Sequence, residues 1–410
     1  SLILCYIRCP FFSLHWFTPF IRGLAYSIFI CHRNKSERYN RIFWKLSCLF
    51  HHCNANTEVV SNIVNSRVYL LRVKQEEGDV SMEPSLDMIT DESLRTAAAI
   101  DFVCQHFSLG ELVGIGDRLK GSYNINLKIM TTNGDFVVRF ISSSVSEAHL
   151  QYVSKLLAKL ENEGIPVPRP VQDEKGMSFV ELDGKRVQVT PFVQGRSFLC
   201  REQQVHSSAS MLRRLHHILG DEPPGPLPEW SFYHKSSDLR ERLNRLRELP
   251  TIPSKEHAEV SRVMNRVLHK YDKDASLLPR TIIHGDWHFW NQKYIRNEVS
   301  CVLDFDFVRN GTRLFDIAYS IWVIYLLLPN YASTFDARFL AGYGKLSDIE
   351  IYLLPAAVSR ISLFFLCQSI HSAEPDVKWN HQYRKQMPFL EWMEKEGKSR
   401  IRSLASAVQA

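Results

Sequence analysis

The stretch "TIIHGDWHFWNQKYI", Thr281 to Ile295, sets four polar side chains between two apolar runs: His284, Asp286, His288 and Asn291, with Gly285 at the pivot. A chain that is apolar on both sides of such a group is holding a polar loop against its own core. Asp286 and Asn291 lie five residues apart. A second acid, Asp304, follows in "CVLDFDF", thirteen residues after Asn291. An Asp, then an Asn, then an Asp after a strand is the order that kinase-type phosphoryl transfer requires. Asp286 can accept or orient the proton of an acceptor hydroxyl. Asn291 and Asp304 offer hard oxygen ligands of the kind Mg2+ takes alongside nucleotide phosphates.

Working outward, residues 112–141 have strand character, and Asn133-Gly134 between "INLKIMTT" and "DFVVRFI" marks a hairpin. "SEAHLQYVSKLLAKLENEG" has helical spacing and stops at Gly164. "IPVPRPV" is extended, and "MSFVELDG" and "KRVQVTPFV" are two further strands. Beyond "QGRSF" the pattern turns helical: "REQQVHSSASMLRRLHHIL", "SDLRERLNRLREL" and "KEHAEVSRVMNRVLHKYDK". A short strand pair is expected near 293–305. Three more helices follow, the middle one carrying Pro355, which is expected to kink it or delay its start. The expected fold is therefore α+β and two-lobed. A small antiparallel-sheet lobe spans 82–192 and a larger helical lobe spans 193–410, joined near Thr190–Gly195.

Several motifs in this order resemble the aminoglycoside phosphotransferase family, from about Leu112 to Ser320: "KGSYNINLKI", "FVVRF", "GIPVPRPV", "VTPFVQG", "LRRLHHIL", "IIHGDWHFWN", "VLDFDF" and "RLFDIAYSIW". That family includes choline, homoserine and methylthioribose kinases beside antibiotic kinases. The resemblance implies a protein-kinase-like fold with ATP in the inter-lobe cleft and a small-molecule hydroxyl as acceptor. Gly285, where protein kinases carry Arg, favours the small-molecule branch. By resemblance Asp286 is the catalytic Asp, and Asn291 and Asp304 hold Mg2+. Gly121, Ser122, Tyr123 and Asn124 form the turn over the phosphates, although no G-x-G-x-x-G pattern supports it. Arg139 contacts phosphates with Glu147 as its helix partner, and the backbone of Pro191, Phe192 and Val193 receives the adenine.

Other residues keep two readings. Asp306 is either a second metal-side carboxylate or a residue that fixes its loop. Trp287 and Trp290 are packing residues or substrate platforms, packing being the commoner role. His284, His288 and His216 are expected to be structural, and Asp316 with Arg313 to brace the catalytic loop. A non-catalytic kinase-like protein, of the kind some spore-coat proteins resemble, is the alternative function. The complete Asp286–Asn291–Asp304 set speaks against it.

Composition narrows the field further. The 410 residues are 45% hydrophobic and 23% charged, with a net charge of +6. No dense Lys/Arg stripe with interleaved aromatics is present, so nucleic-acid binding is not expected. Cys104, Cys200, Cys301 and Cys367 are scattered singly, as in a reduced, cytoplasmic protein. Residues 1–81 differ from the rest: apolar and aromatic, but interrupted by Arg8, Pro10, His15, Pro19 and Arg22. They form neither a clear membrane span nor a clear secretion signal. The expectation is that they are a non-native or disordered extension outside the working protein, which would open at Met82; a peripheral membrane anchor is the rival reading, and no membrane is expected as a partner.

Overall fold

A computed structural model describes residues 97–119, 124–142 and 144–409. The expectation for residues 1–81 and the positions Gly121, Ser122 and Tyr123 lie outside the described residues.

The first lobe opens with helix α1 (Ala97–His106), then strands β1 (Leu112–Leu119), β2 (Ile125–Thr131) and β3 (Gly134–Ile141). Asn133-Gly134 makes the β2–β3 turn, and the strands pair without a slip from Ile125↔Phe140 to Thr131↔Gly134. Helix α2 (Glu147–Asn162) begins at Ser146, whose hydroxyl accepts from the His149 N–H, a side-chain cap. Strands β4 (Val180–Leu182) and β5 (Lys185–Pro191) complete an antiparallel sheet of order β1-β2-β3-β5-β4. Alternation sends Leu127, Ile129, Val138, Phe140, Val187 and Val189 to one face, where they pack on Ile100, Val103 and Phe107.

Past Gly195 the chain is tied down at once. Arg196 and Tyr294 exchange two backbone hydrogen bonds of 2.9 Å each. The second lobe then runs through helices α3 (Glu202–Ile218), α4 (Ser236–Arg247) and α5 (Ser254–Asp274). Strand β6 (Arg280–Ile283) enters the loop that carries Asp286 and Asn291, and β7 (Gln292–Ile295) leaves it into a hairpin with β8 (Glu298–Val302). Strand β9 (Arg309–Thr312) returns to pair with β6, Ile283 opposite Arg309. Helices α6 (Leu314–Leu327), α7 (Ala332–Tyr343), α8 (Asp348–Cys367), α9 (Pro375–Trp392) and α10 (Lys398–Ala407) close the lobe.

Two expectations are corrected here. Pro355 does not delay α8, which starts at Asp348 behind a Ser347–Glu350 capping box. The last helical stretch is two helices joined by one wide π turn at Met393–Gly397. Helix α8 with its following turn is long and apolar enough to cross a membrane, but 78% of its apolar window is buried within the lobe. It contributes Leu353, Leu354, Val358, Phe364 and Leu366 to the core, as the central helix of a packed lobe does.

Candidate active site

The loop between β6 and β7 is built from the inside. Asp316, fully buried in the first turn of α6, accepts the His284 N–H at 2.8 Å and the Gly285 N–H at 2.9 Å. His216 from α3 sits 3.0 Å from the same carboxylate, and its other ring nitrogen meets the Tyr343 hydroxyl at 2.9 Å. Asp316 is thus the brace the sequence suggests. Arg313 is not part of it: its guanidinium forms a two-bond pair with Glu350 at 2.6 and 2.7 Å, tying α6 to α8.

His284 is structural. Its Nε2 lies 3.0 Å from the Leu303 carbonyl and its Nδ1 accepts from the Asp286 N–H at 3.3 Å. This requires the tautomer protonated at Nε2. Burial pushes the ring below its ordinary pKa and keeps it neutral, although Asp316 pulls the other way. Gly285 has φ of +84°, and a Cβ there would fall 2.5 Å from the Phe307 carbonyl oxygen. A side chain meets both a left-handed backbone and an immovable carbonyl. Gly285→Ala should therefore cost about 2 kcal/mol or more, read as a lowered denaturation midpoint with unchanged slope; an unchanged midpoint would mean that the loop is not held this way.

At the mouth of the loop, Asn291 donates through Nδ2 to the Asp286 carbonyl at 3.1 Å and to Asp286 Oδ2 at 3.0 Å. With its nitrogen engaged, the amide oxygen is the atom left to face a cation. Asp286 Oδ1 is buried without any hydrogen-bond partner, an arrangement that costs free energy unless something else meets it. His288 lies 3.6 Å from Asp286 Oδ2 and accepts the Asn291 N–H through Nδ1, shaping the turn.

Leu303 N–H donates to the Asn291 carbonyl at 2.8 Å, which delivers Asp304 beside the loop. Asp304 has φ of +62°, a left-handed backbone unusual for a residue with a side chain. Its carboxyl is pushed well above the usual range, first by removal from water, then by Asp306; Arg139 opposes this and Asp286 adds to it. Three carboxylates therefore converge with one guanidinium between them. A cation among them would offset the repulsion of such carboxylates. The donors are hard oxygens, so they fit Mg2+. Among the described residues no group of three or more His, Cys, Asp or Glu forms a ready-made metal cage, and Mg2+ ordinarily takes only one or two protein ligands.

Asp306 is the hub of the cleft. Both its oxygens lie 3.0 Å from Arg139 Nη2, and Oδ2 accepts from Asn124 at 2.6 Å. Its backbone carbonyl is 3.0 Å from His149 Nε2, whose Nδ1 is 3.1 Å from the Pro226 carbonyl. Here Asp306 fixes its loop, and the structure brings Asn124 and Arg139 together on it. The expected Arg139–Glu147 pair is not made: Glu147 is exposed on the first turn of α2 and accepts from Gln151. Two residues further along α2 points inward, so the buried His149, not Glu147, links that helix to the cleft. The sequence held no signal for this, since both residues sit on the same first turn.

In the connector, Phe192 donates its N–H to the Asp135 carbonyl at 2.9 Å. Strand geometry then turns the Pro191 carbonyl, at the end of β5, to the opposite edge. Trp287 is buried and donates to Ser208 Oγ at 3.1 Å, a packing residue. Trp290 is 43% exposed, edge-on to Phe198 and tilted on His288, at the rim of the loop.

A five-stranded antiparallel lobe over a helical lobe, with an Asp/Asn loop and a second Asp in the crevice, defines a two-lobed protein-kinase-like architecture. The phosphotransferase enzyme family matches residues 118–352, more than half of the chain, and the chain belongs to that family. Homoserine kinase of Bartonella henselae is 24% identical over 220 residues, covering 52% of this chain and 65% of that protein. The chain thus spans a little under two thirds of that relative's length. Homoserine kinase of Granulibacter bethesdensis is 26% identical over 289 residues, 68% of this chain and 85% of that protein. Among solved structures, a microcompartment-associated aminopropanol kinase superposes with a TM-score of 0.58 at 17% identity, over 72% of this chain and 98% of that one. Amicoumacin kinase gives a TM-score of 0.52 at 16% identity, over 67% of this chain and 88% of that one. At these identities the two structures share the fold.

Proposed function

We propose that the chain is an ATP- and Mg2+-dependent phosphotransferase acting on a hydroxyl of a small molecule. The observation that carries this reading is the convergence of Asp286, Asn291 and Asp304 on one crevice, with Asp286 Oδ1 unpartnered and Asp304 strained and resisting ionisation. Asn291 through its amide oxygen and Asp304 through its carboxylate would hold Mg2+, which bound with nucleotide would neutralise phosphate charge. Asp286 then orients the acceptor hydroxyl and takes its proton at Oδ1, while Asn291 fixes the other oxygen. Arg139, held on Asp306 in this structure, would meet the phosphates with a fork-shaped cation. The Pro191 carbonyl and Val193 N–H are the backbone pair for the adenine. Asn124 is the described end of the turn over the phosphates, and Gly121, Ser122 and Tyr123 complete that reading.

The four described cysteines are free thiols, which supports a reducing, cytoplasmic setting. The non-catalytic alternative has no observation in its favour, because a binding scaffold gains nothing from three clustered acids. The test is ADP release from ATP with Mg2+ across a panel of hydroxyl acceptors. Acceptor-stimulated release that disappears with EDTA is the expected result. Nucleotide binding with no release for any acceptor would favour the scaffold.

A further inference from the structure

One cluster outside the nucleotide crevice is short of negative charge. It lies in the helical lobe, next to the catalytic loop. Gly285 packs on Phe307, and Phe307 packs on Phe232 and Trp230 at ring distances of 5.4 and 5.1 Å. The next two residues, Tyr233 and His234, meet Arg309 of β9 and Arg242 of α4. Arg309 itself is paired across from Ile283, the residue that enters the loop.

Apart from Asp238, 3.9 Å from His234, the direct partners of these groups are neutral. Arg309 donates Nη1 to the Tyr233 carbonyl at 3.2 Å and covers the Tyr233 ring at 5.0 Å, while its Nε–H is buried with no acceptor. Arg242 donates to the Gln368 side-chain oxygen at 2.7 Å and reaches His234 Nδ1 at 3.5 Å. A guanidinium only donates, so Nδ1 accepts and the His234 proton sits on Nε2. That Nε2–H is also buried and unpartnered. The His234 ring is fixed flat on Phe364, centroids 5.0 Å apart. Two donors of one cationic cluster are therefore buried without an acceptor. Nearby acids do not supply it. Asp238 lies 3.9 Å from His234 Nδ1, the face already used, and Asp272 is taken by Ser236, Arg240 and Arg360. Burial and Arg242 hold His234 down at about 4, so the ring is neutral and Asp238 does not reverse this. Burial likewise lowers Arg309 and Arg242; Asp238 acts the other way on both, and Glu241 on Arg242, without reversing it.

We propose that Arg242, Arg309 and His234 form the seat for an oxyanion carried by the acceptor, so that the molecule phosphorylated is a small hydroxy compound bearing a carboxylate or phosphate group. This rests on the phosphotransferase reading and adds the substrate class to it. A polycationic acceptor would be repelled here. Of the acids outside the crevice, Glu222 is paired with Lys159, and Glu374 and Asp376 sit at the start of α9.

The test uses the full chain saturated with Mg2+ and a non-hydrolysable ATP analogue, so that the phosphate subsites of the nucleotide are filled. Glycerate, inorganic phosphate, ethanolamine and kanamycin are titrated by calorimetry into wild type, Arg309→Ala and Arg242→Gln, with Arg296→Ala as a surface control. The expected result is binding of at least one oxyanion, weakened at least about 10-fold in Arg309→Ala and in Arg242→Gln, and unchanged in the control. Glycerate alone, or phosphate alone, identifies which oxyanion the seat takes. Arg242→Gln keeps the test alive should Arg309→Ala fail to fold. Oxyanion binding that is absent in wild type, or equal in wild type and both variants, overturns the proposal. Efficient phosphorylation of ethanolamine or kanamycin, untouched by Arg309→Ala, would also overturn it while leaving the phosphotransferase reading intact.

Discussion

Asp286→Asn is expected to lower acceptor phosphorylation about 10³-fold while leaving nucleotide affinity nearly unchanged. The substitution keeps the shape of the side chain and removes its ability to take a proton. Its amide oxygen can still accept from Asn291 Nδ2, which now donates to a carboxylate oxygen 3.0 Å away, and its NH2 then stands where Oδ1 would take the proton. Nucleotide affinity should hold because Asn291 and Asp304, the residues proposed to grip Mg2+, remain. Single-turnover phosphoryl transfer together with calorimetry of the Mg2+–ATP analogue separates the two. Transfer within a few-fold of wild type would refute the role of Asp286.

Asp304→Asn should act the other way round. Affinity for Mg2+-nucleotide is expected to fall by about 10²-fold or more, yet the metal-free protein should become more stable at neutral pH. The Asp304 carboxyl is pushed above its ordinary value of 3.8 by burial and by Asp306, so the folded state holds that proton more tightly than the unfolded chain does. Stability from this group is fully present below 3.8 and is lost as pH rises through the raised folded value. Above 3.8 the metal-free folded protein therefore holds a proton that the unfolded chain would release, or carries a buried carboxylate once that proton is lost. Asn removes that burden and Mg2+ offsets it. Thermal melts of both proteins from acid to neutral pH, with EDTA and with Mg2+, should show the wild type losing stability with rising pH only when metal is withheld. A parallel pH response in the two proteins would mean that Asp304 is not the group responsible.

How much of this was legible in the sequence follows from how local each signal is. The shape of the loop between β6 and β7 was, because Gly285, Asp286 and Asn291 belong to a single tight turn and their spacing is the turn. The β2–β3 hairpin was, because Asn133-Gly134 chooses the turn by itself. Helix α7 was not. "ASTFDARFLAGY" is short and carries Ser, Thr and Gly, and it forms because Phe335, Phe339 and Tyr343 are buried in the lobe's core. Strand β9, "RNGT", has no strand character of its own and exists only as the partner of β6. The partner of Arg139 was equally out of reach. Glu147 is near in sequence and carries the right charge, but the first turn of α2 sends it to solvent, while Asp306 arrives from 167 residues away. The orphaned donors of His234 and Arg309 belong to the same class. Each residue reads as an ordinary surface charge until β9 and the segment after the Pro-rich loop are packed together.

The central claim is that Asn291 and Asp304 share one divalent cation within reach of Asp286. A crystal grown with Mn2+ in place of Mg2+ and a non-hydrolysable ATP analogue tests it most directly, because Mn2+ is located by its anomalous signal. The account predicts an anomalous peak in the inter-lobe crevice, bonded to the Asp304 carboxylate and the Asn291 amide oxygen and to nucleotide phosphates, with Asp286 Oδ1 facing the γ-phosphate. Nucleotide bound without such a peak, or a peak ligated elsewhere with these side chains turned away, would contradict it.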